Sequence, residues 1–142
     1  MSAPAAKPVV CVVAGALFDR ERRVLIAQRP SGKHMAGRWE FPGGKVAAAE
    51  TQPQALVREL REELGITVVA SRPFMRLSHE YDDRVVELSL WIVDIFSGEP
   101  VGLDGQQLKW VAVEALGKED ILEADAPFVV ALQRGAWEGT EG

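Results

Sequence analysis

Sulfur chemistry is almost absent from this 142-residue chain, which has a single cysteine, Cys11. No internal disulfide and no zinc site built from cysteine pairs is available to it. Cys11 lies in an apolar run and reads as a small buried hydrophobe. A surplus of positive charge is missing too: 16 Lys and Arg stand against 21 Asp and Glu, a formal net charge of −5. The chain therefore lacks the electrostatic footprint of a protein that binds nucleic acid polymers, and a small anion held through a metal is the better-matched partner. Nor is there a hydrophobic run long enough for a membrane. Residues 9–18 (VVCVVAGALF) follow a lysine in the manner of a short signal peptide, but they are rich in β-branched valine, too short to span a bilayer, and lead into the charged turn Asp19-Arg20-Glu21-Arg22-Arg23. They read as a buried central strand. With no repeat, low-complexity tract or second domain in view, one domain over residues 1–142 is expected, cytoplasmic, with residues 1–8 and 138–142 flexible.

What the chain does have is a dense stretch at residues 44–66 (GKVAAAETQPQALVRELREELGI). Thr51 and Gln54 are spaced as a capping box, Pro53 falls in a first turn where its missing N–H is no loss, and Gly65 stands where a left-handed residue ends a helix. Leu56, Leu60 and Leu64 recur every fourth residue and predict one apolar stripe on a helix of about thirteen residues. Glu59, Glu62 and Glu63, at i, i+3 and i+4, share a second face. Two carboxylates about 5 Å apart repel by roughly 3 kcal/mol at an effective dielectric of about 20, so a countercharge is expected. Arg58 and Arg61 are poorly placed in helical projection, about 100° round from Glu59 and nearly opposite Glu62 and Glu63. A hard divalent cation, Mg2+ with Mn2+ as substitute, suits carboxylate oxygens and bridges them to phosphates. Taken alone, the spacing is more often that of a solvated acidic face; the flanking residues reverse that reading.

Elsewhere, residues 23–29 (RVLIAQR) are the expected hairpin partner of the first strand, and residues 30–33 (PSGK) break it. Residues 67–77 and 84–96 read as a hairpin across the polar turn at 79–83 (HEYDD), with Val86, Leu88, Leu90 and Ile92 forming the inward face. Residues 97–107 (SGEPVGLDGQQ) form a loop of functional length, residues 108–113 a strand, and residues 114–116 one helical turn. Residues 126–137 (APFVVALQRGAW) are a second packed helix with Pro127 in its first turn and Asp125 as its cap. His34 reads as a loop-packing residue. Pro42-Gly43-Gly44 allows a sharp turn and close backbone approach to a ligand, while Arg29 and Lys45 offer positive charge to phosphate oxygens.

Gly44 and Glu50, followed by Arg58-Glu59-Leu60-x-Glu62-Glu63-x-Gly65-Ile66, resemble the Nudix box, G-x5-E-x7-R-E-U-x-E-E-x-G-U with U aliphatic. Arg29, the His-Met-Ala at 34–36 and the run Glu40-Phe41-Pro42-Gly43-Gly44-Lys45 are similar to the MutT-type branch of that family. The resemblance covers roughly residues 9–134. It implies an α/β Nudix fold, an α/β/α sandwich with a mixed β-sheet between helices. It also implies a Mg2+-dependent hydrolase that splits a nucleoside triphosphate into monophosphate and pyrophosphate. Glu62, Glu63 and the Gly43 carbonyl would hold metal, with Glu59 as ligand or base. Glu50 and Arg58 would orient these side chains, and Glu40, Arg29, Lys45 and Asp125 would meet substrate. In the 97–107 loop, Asp104 occupies a position where relatives carry a metal-binding Glu; it either ligates directly or through water, or simply forms an Asp-Gly turn. Asp125 matches an Asn that reads the oxidised purine edge in MutT enzymes, while cytidine-triphosphate-hydrolysing relatives carry Asp nearby; a plain helix cap is the other reading. The expected substrate is 8-oxo-dGTP, in mutation avoidance and DNA repair, with CTP or dCTP as the alternative. ADP-ribose, a dinucleoside polyphosphate and a non-catalytic nucleotide-binding module are the remaining alternatives. The expected state is monomer or homodimer.

Overall fold

The computed structural model describes residues 7–33 and 35–135, so His34, residues 1–6 and residues 136–142, and with them most of the ends expected to be flexible, lie outside the described residues. Its strands are β1 (Val9–Leu17), β2 (Arg23–Gln28), β3 (Trp39–Glu40), β4 (Gly43–Lys45), β5 (Thr67–Glu80), β6 (Val85–Ser97) and β7 (Leu108–Ala112). Its helices are α1 (Gln52–Leu64) and α2 (Ala126–Gln133), with short 3-10 segments at Val113–Lys118 and Glu123–Asp125. One sheet has the order β4-β1-β6-β5 and is mixed, β1 and β6 being parallel; the other, β3-β2-β7, is antiparallel. No helix among the described residues is long and apolar enough to cross a membrane.

Both sheet faces are covered. Val13 and Leu17 of β1 join Leu25, Leu56, Leu60 and Leu64 beneath α1, while Ala14, Ala16, Val24 and Ile26 pack with Phe128, Val129 and Leu132 of α2. This alternation, a strand's period of two with apolar residues on both sides, produces the α/β/α layering. It also corrects the reading of β6 as having one inward face: Leu88, Leu90 and Ile92 enter the α2 core, but Ser89 is only 5% exposed and Trp91 packs against the α1 core.

α1 forms as its sequence specifies. Gln54 N–H donates to Thr51 Oγ1 (3.2 Å) and Thr51 N–H to Gln54 Oε1 (2.9 Å). Gly65 is left-handed at φ 71°, and Leu56, Leu60 and Leu64 are fully buried.

Four expectations are corrected. β2 is not the hairpin partner of β1: apart from one bridge, Phe18 to Val24, it pairs with β3 and β7 in the other sheet. The position beside β1 is taken by β4, which approaches so closely that a Cβ on Gly43 would overlap the Val13 carbonyl oxygen. Cys11 is exposed, with Sγ 4.0 Å from Glu87 Oε1, because the α1 core takes up Val13 and Leu17 further along β1 and leaves this end uncovered. α2 ends at Gln133, ahead of a left-handed Gly135 (φ 82°), rather than continuing to residue 137. Asp125 makes no side-chain capping bond to α2; its carboxylate is turned into the core instead.

Candidate active site

Two glycines bring β4 against α1. Gly44 lies directly under the Glu59 carboxylate, where any Cβ would overlap it, so the glycine makes the space that the acid fills. One turn on, Glu63 sits against the Gly43 N–H. Burial, and then the negative charge of Glu59, push its carboxyl up to about 8, while the Gly43 N–H opposes the shift. The expected crowding of acids is therefore real and falls chiefly on Glu59 and Glu63; Glu62 is more open, its side chain 60% exposed.

Arg58 ties the cluster together. Its Nε and Nη2 donate to the Glu50 carboxylate (2.7 and 2.9 Å), Nη2 also to the Lys45 carbonyl (3.0 Å), and Nη1 to Glu59 (3.0 Å) and Glu62 (3.3 Å). Helical projection undervalued this residue because it locates the Cα, not the end of a long, forked side chain. Glu50 also accepts from Ala47 N–H, and its hydrogen bonds to Arg58 hold its carboxyl down at about 2.

Between Glu63 and Asp104 lies a cavity of about 130 Å3, also lined by Arg29, Lys33 and Gln106. The Asp104 N–H donates to Gln106 Oε1 (2.9 Å), and Gln106 Nε2 donates to the Glu63 carbonyl (3.3 Å). The Asp-Gly turn thus exists and also faces the acidic cluster. A wider groove of about 450 Å3 adjoins it, with Val10, Val12, Val86 and Leu88 as apolar lining, Lys45 and Arg84 as cations, and Tyr81. Arg29 borders both spaces; its Nη1 donates to Glu40 Oε1 (3.0 Å). Sequence reasoning missed Gln106, Lys33, Tyr81 and Arg84. The last two lay within or beside a stretch read only as a polar turn, although an aromatic and an arginine three apart were a usable signal: Arg84 Cζ stands 4.9 Å from the Tyr81 ring centroid.

Asp125 is 4% exposed and accepts from Phe41 N–H (3.2 Å). Burial pushes its carboxyl up to about 7, the Phe41 N–H opposes this, and Glu40 adds to it. Burial likewise raises Glu40, against the pull of Arg29. A folded-state pKa above the ordinary 3.8 means that the native state binds the extra proton between about pH 4 and pH 7, so stability falls as pH rises through that window. Melts in chelator should show this decline, and Asp125→Asn should flatten it. An unchanged pH profile would contradict the assignment.

Among the described residues no three acidic, histidine or cysteine side chains already converge on one metal-sized point, since Arg58 draws Glu59 and Glu62 toward itself. The donor chemistry nonetheless fits a divalent metal. The Glu59 carboxylate fills the space above Gly44 and Glu63 lies against Gly43 N–H, so two carboxylates meet at the diglycine strand, and carboxylate and carbonyl oxygens are the donors that a hard divalent cation takes.

A mixed sheet between two helices, with a diglycine strand laid under an acidic helix face, is the architecture of a Nudix hydrolase. The chain belongs to the NUDIX domain family, whose model matches residues 13–131. It is 37% identical over 123 residues to the 8-oxo-dGTP diphosphatase of Escherichia coli strain K12, covering 87% of this chain and 95% of that one. It is 40% identical over 120 residues to the CTP pyrophosphohydrolase of the same strain, covering 84% and 89%. Among solved structures, the Escherichia coli ORF135 protein superposes with a TM-score of 0.84 at 34% identity over 96% of each chain. A MutT structure from work on Aliivibrio salmonicida and Vibrio cholerae gives 0.78 at 38% identity, over 89% of this chain and 98% of that one.

Proposed function

We propose that this chain is a Mg2+-dependent nucleoside triphosphate pyrophosphohydrolase that converts its substrate and water into a nucleoside monophosphate and pyrophosphate, with 8-oxo-dGTP preferred. The observation that carries this reading is adjacency. The acidic α1 face opens on a small cavity, the small cavity borders a groove with apolar walls and cationic edges, and Arg29 faces both. In this reading the phosphates lie toward the acidic face and the first space, and the nucleoside lies in the second. The names of the relatives at 37% and 40% identity support the same reaction type.

In this scheme Glu59, Glu62, Glu63 and the Gly43 carbonyl hold the metal, with Asp104 reaching the same cavity from the opposite loop. When bound, Mg2+ supplies charge neutralisation at phosphate oxygens and lowers the pKa of an attacking water. Arg58, fixed by Glu50, steers Glu59. Glu59 either completes the metal shell or takes the proton from the water, and Arg29 and Lys45 bind phosphate oxygens. Removal of an oxidised triphosphate places the enzyme in mutation avoidance, acting on free nucleotides rather than on DNA.

CTP or dCTP is the second reading, favoured by Asp125. An ionised Asp only accepts hydrogen bonds and suits an exocyclic amine; a protonated one also donates. A hydrolysis panel of canonical and oxidised triphosphates decides between them. The highest kcat/KM is expected for 8-oxo-dGTP, and Asp125→Ala should change its ratio to CTP by ~10-fold or more, as loss of a buried base-reading bond does. Equal losses on every nucleotide would remove Asp125 as base reader, and a clear CTP optimum would replace the substrate.

A further inference from the structure

Away from the acidic cleft, the β5–β6 ladder is interrupted. Its register shifts between Pro73 and Met75, leaving Pro73 opposite Trp91 and Arg76 opposite Ser89. A proline has no N–H for the ladder, and a bulge leaves a residue unpaired. A cavity of about 280 Å3 opens there, with Gln52, Phe74, Arg76, Ser89 and Trp91 in its lining.

The polar groups of this cavity are under-used. Ser89 is 5% exposed, yet its hydroxyl makes no hydrogen bond among the described residues. Every described side-chain oxygen fully sealed from solvent has a partner, so the Ser89 hydroxyl opens onto the cavity. The hydroxyl is thus available to a molecule in the cavity, and alanine at this position would lose no hydrogen bond to a described residue. Gln52, the first residue of α1, accepts from Trp91 Nε1–H through Oε1 at 2.9 Å, which leaves its NH2 end as a donor. Arg76 is exposed and forms no ion pair among the described residues. Three donors, from Ser89, Gln52 and Arg76, thus border one space walled by the Trp91 indole and Phe74.

We propose that this cavity is a binding site for a small planar anion, an aromatic or heteroaromatic ring carrying a carboxylate. The ring packs on Trp91 and the carboxylate is taken by Arg76, with Ser89 and Gln52 as neutral donors. A carboxylate is favoured over a bulkier anion because the volume, about 280 Å3, lies just below the usual range for ligand pockets, about 300 to 1,000 Å3. No residue of the proposed metal site takes part, so the inference stands apart from the hydrolytic reading.

The test follows the Trp91 indole N–H signal by proton–nitrogen NMR while indole carboxylate or benzoate is added to the full chain, with indole and benzamide as neutral controls. A saturable shift is expected for the carboxylates and a weaker one for the controls. Affinity should fall ~10-fold or more in Arg76→Ala, the size of a lost charge-assisted hydrogen bond, and measurably in Ser89→Ala. Nucleotide hydrolysis should be unchanged in both variants. Ser89→Ala should melt no lower than wild type, since no hydrogen bond is lost, so weaker binding there reports the hydroxyl and not the fold. No saturable shift, equal affinity in Arg76→Ala, or shifts gathered at Glu59 and Glu63 would overturn the site.

Discussion

Glu63→Gln should lower kcat on the preferred nucleotide by ~100-fold or more, the scale of removing a charged metal-binding group. The substitution keeps the volume of the side chain, so packing against Gly43 survives. Its effect on the empty protein should run the other way. Glu63 is pushed up to about 8 by burial and by Glu59, so at alkaline pH the native state holds a charge that it disfavours. A neutral amide removes that cost. Near pH 9 in chelator the variant should therefore melt at or above wild type while hydrolysing almost nothing. Wild-type turnover, measured after contaminating hydrolase has been excluded, would remove Glu63 from the site.

Gly44→Ala should separate catalysis from folding in a different way. The new Cβ would occupy the place of the Glu59 carboxylate, the far end of a flexible side chain. Glu59 can rotate aside, so the melting temperature should change little, but the displaced carboxylate leaves both Arg58 and the metal position. A misplacement of about 1 Å in a catalytic group costs on the order of 100-fold, and a loss of that order in kcat is expected. Gly43→Ala is the contrasting control. Its Cβ would meet the Val13 backbone rather than a movable side chain, so this variant should lose stability as well as activity. If Gly44→Ala retains full activity, Glu59 is not held over that glycine for any catalytic purpose.

The parts of this molecule that were legible in the sequence are those whose causes are local. α1 was readable from cap to cap because Thr51, Gln54, Pro53 and Gly65 act within a few residues of one another and Leu56, Leu60 and Leu64 follow the helical period. Strand pairing was harder. Residues 23–29 read as a hairpin partner of the preceding strand because a short charged turn separates them, and nothing nearby in sequence reveals that β4 already occupies that side of β1. The buried reading of Cys11 and the helix-cap reading of Asp125 failed because both depend on contacts far away in sequence. The α1 core takes up Val13 and Leu17 and leaves Cys11 uncovered, and the Phe41 N–H, 84 residues away in sequence, holds the Asp125 carboxylate inward. The acidic face was visible as a spacing of three glutamates, but its internal countercharge was not, since Arg58 reaches Glu50, Glu59 and Glu62 through side-chain length rather than helical position. The groove lining was least visible, because Val10, Val12, Val86 and Leu88 come from two strands joined only by long-range pairing.

The claim at the centre of this account is that the acidic face of α1 holds the metal. Thermal melts in Mg2+ and in chelator test it directly, since an ion that binds only the native state raises its stability by mass action. Wild type should melt higher in Mg2+, and the two curves should converge in a variant carrying Glu59→Gln, Glu62→Gln and Glu63→Gln together. A Mg2+ shift that survives all three substitutions would place the metal elsewhere and contradict the account.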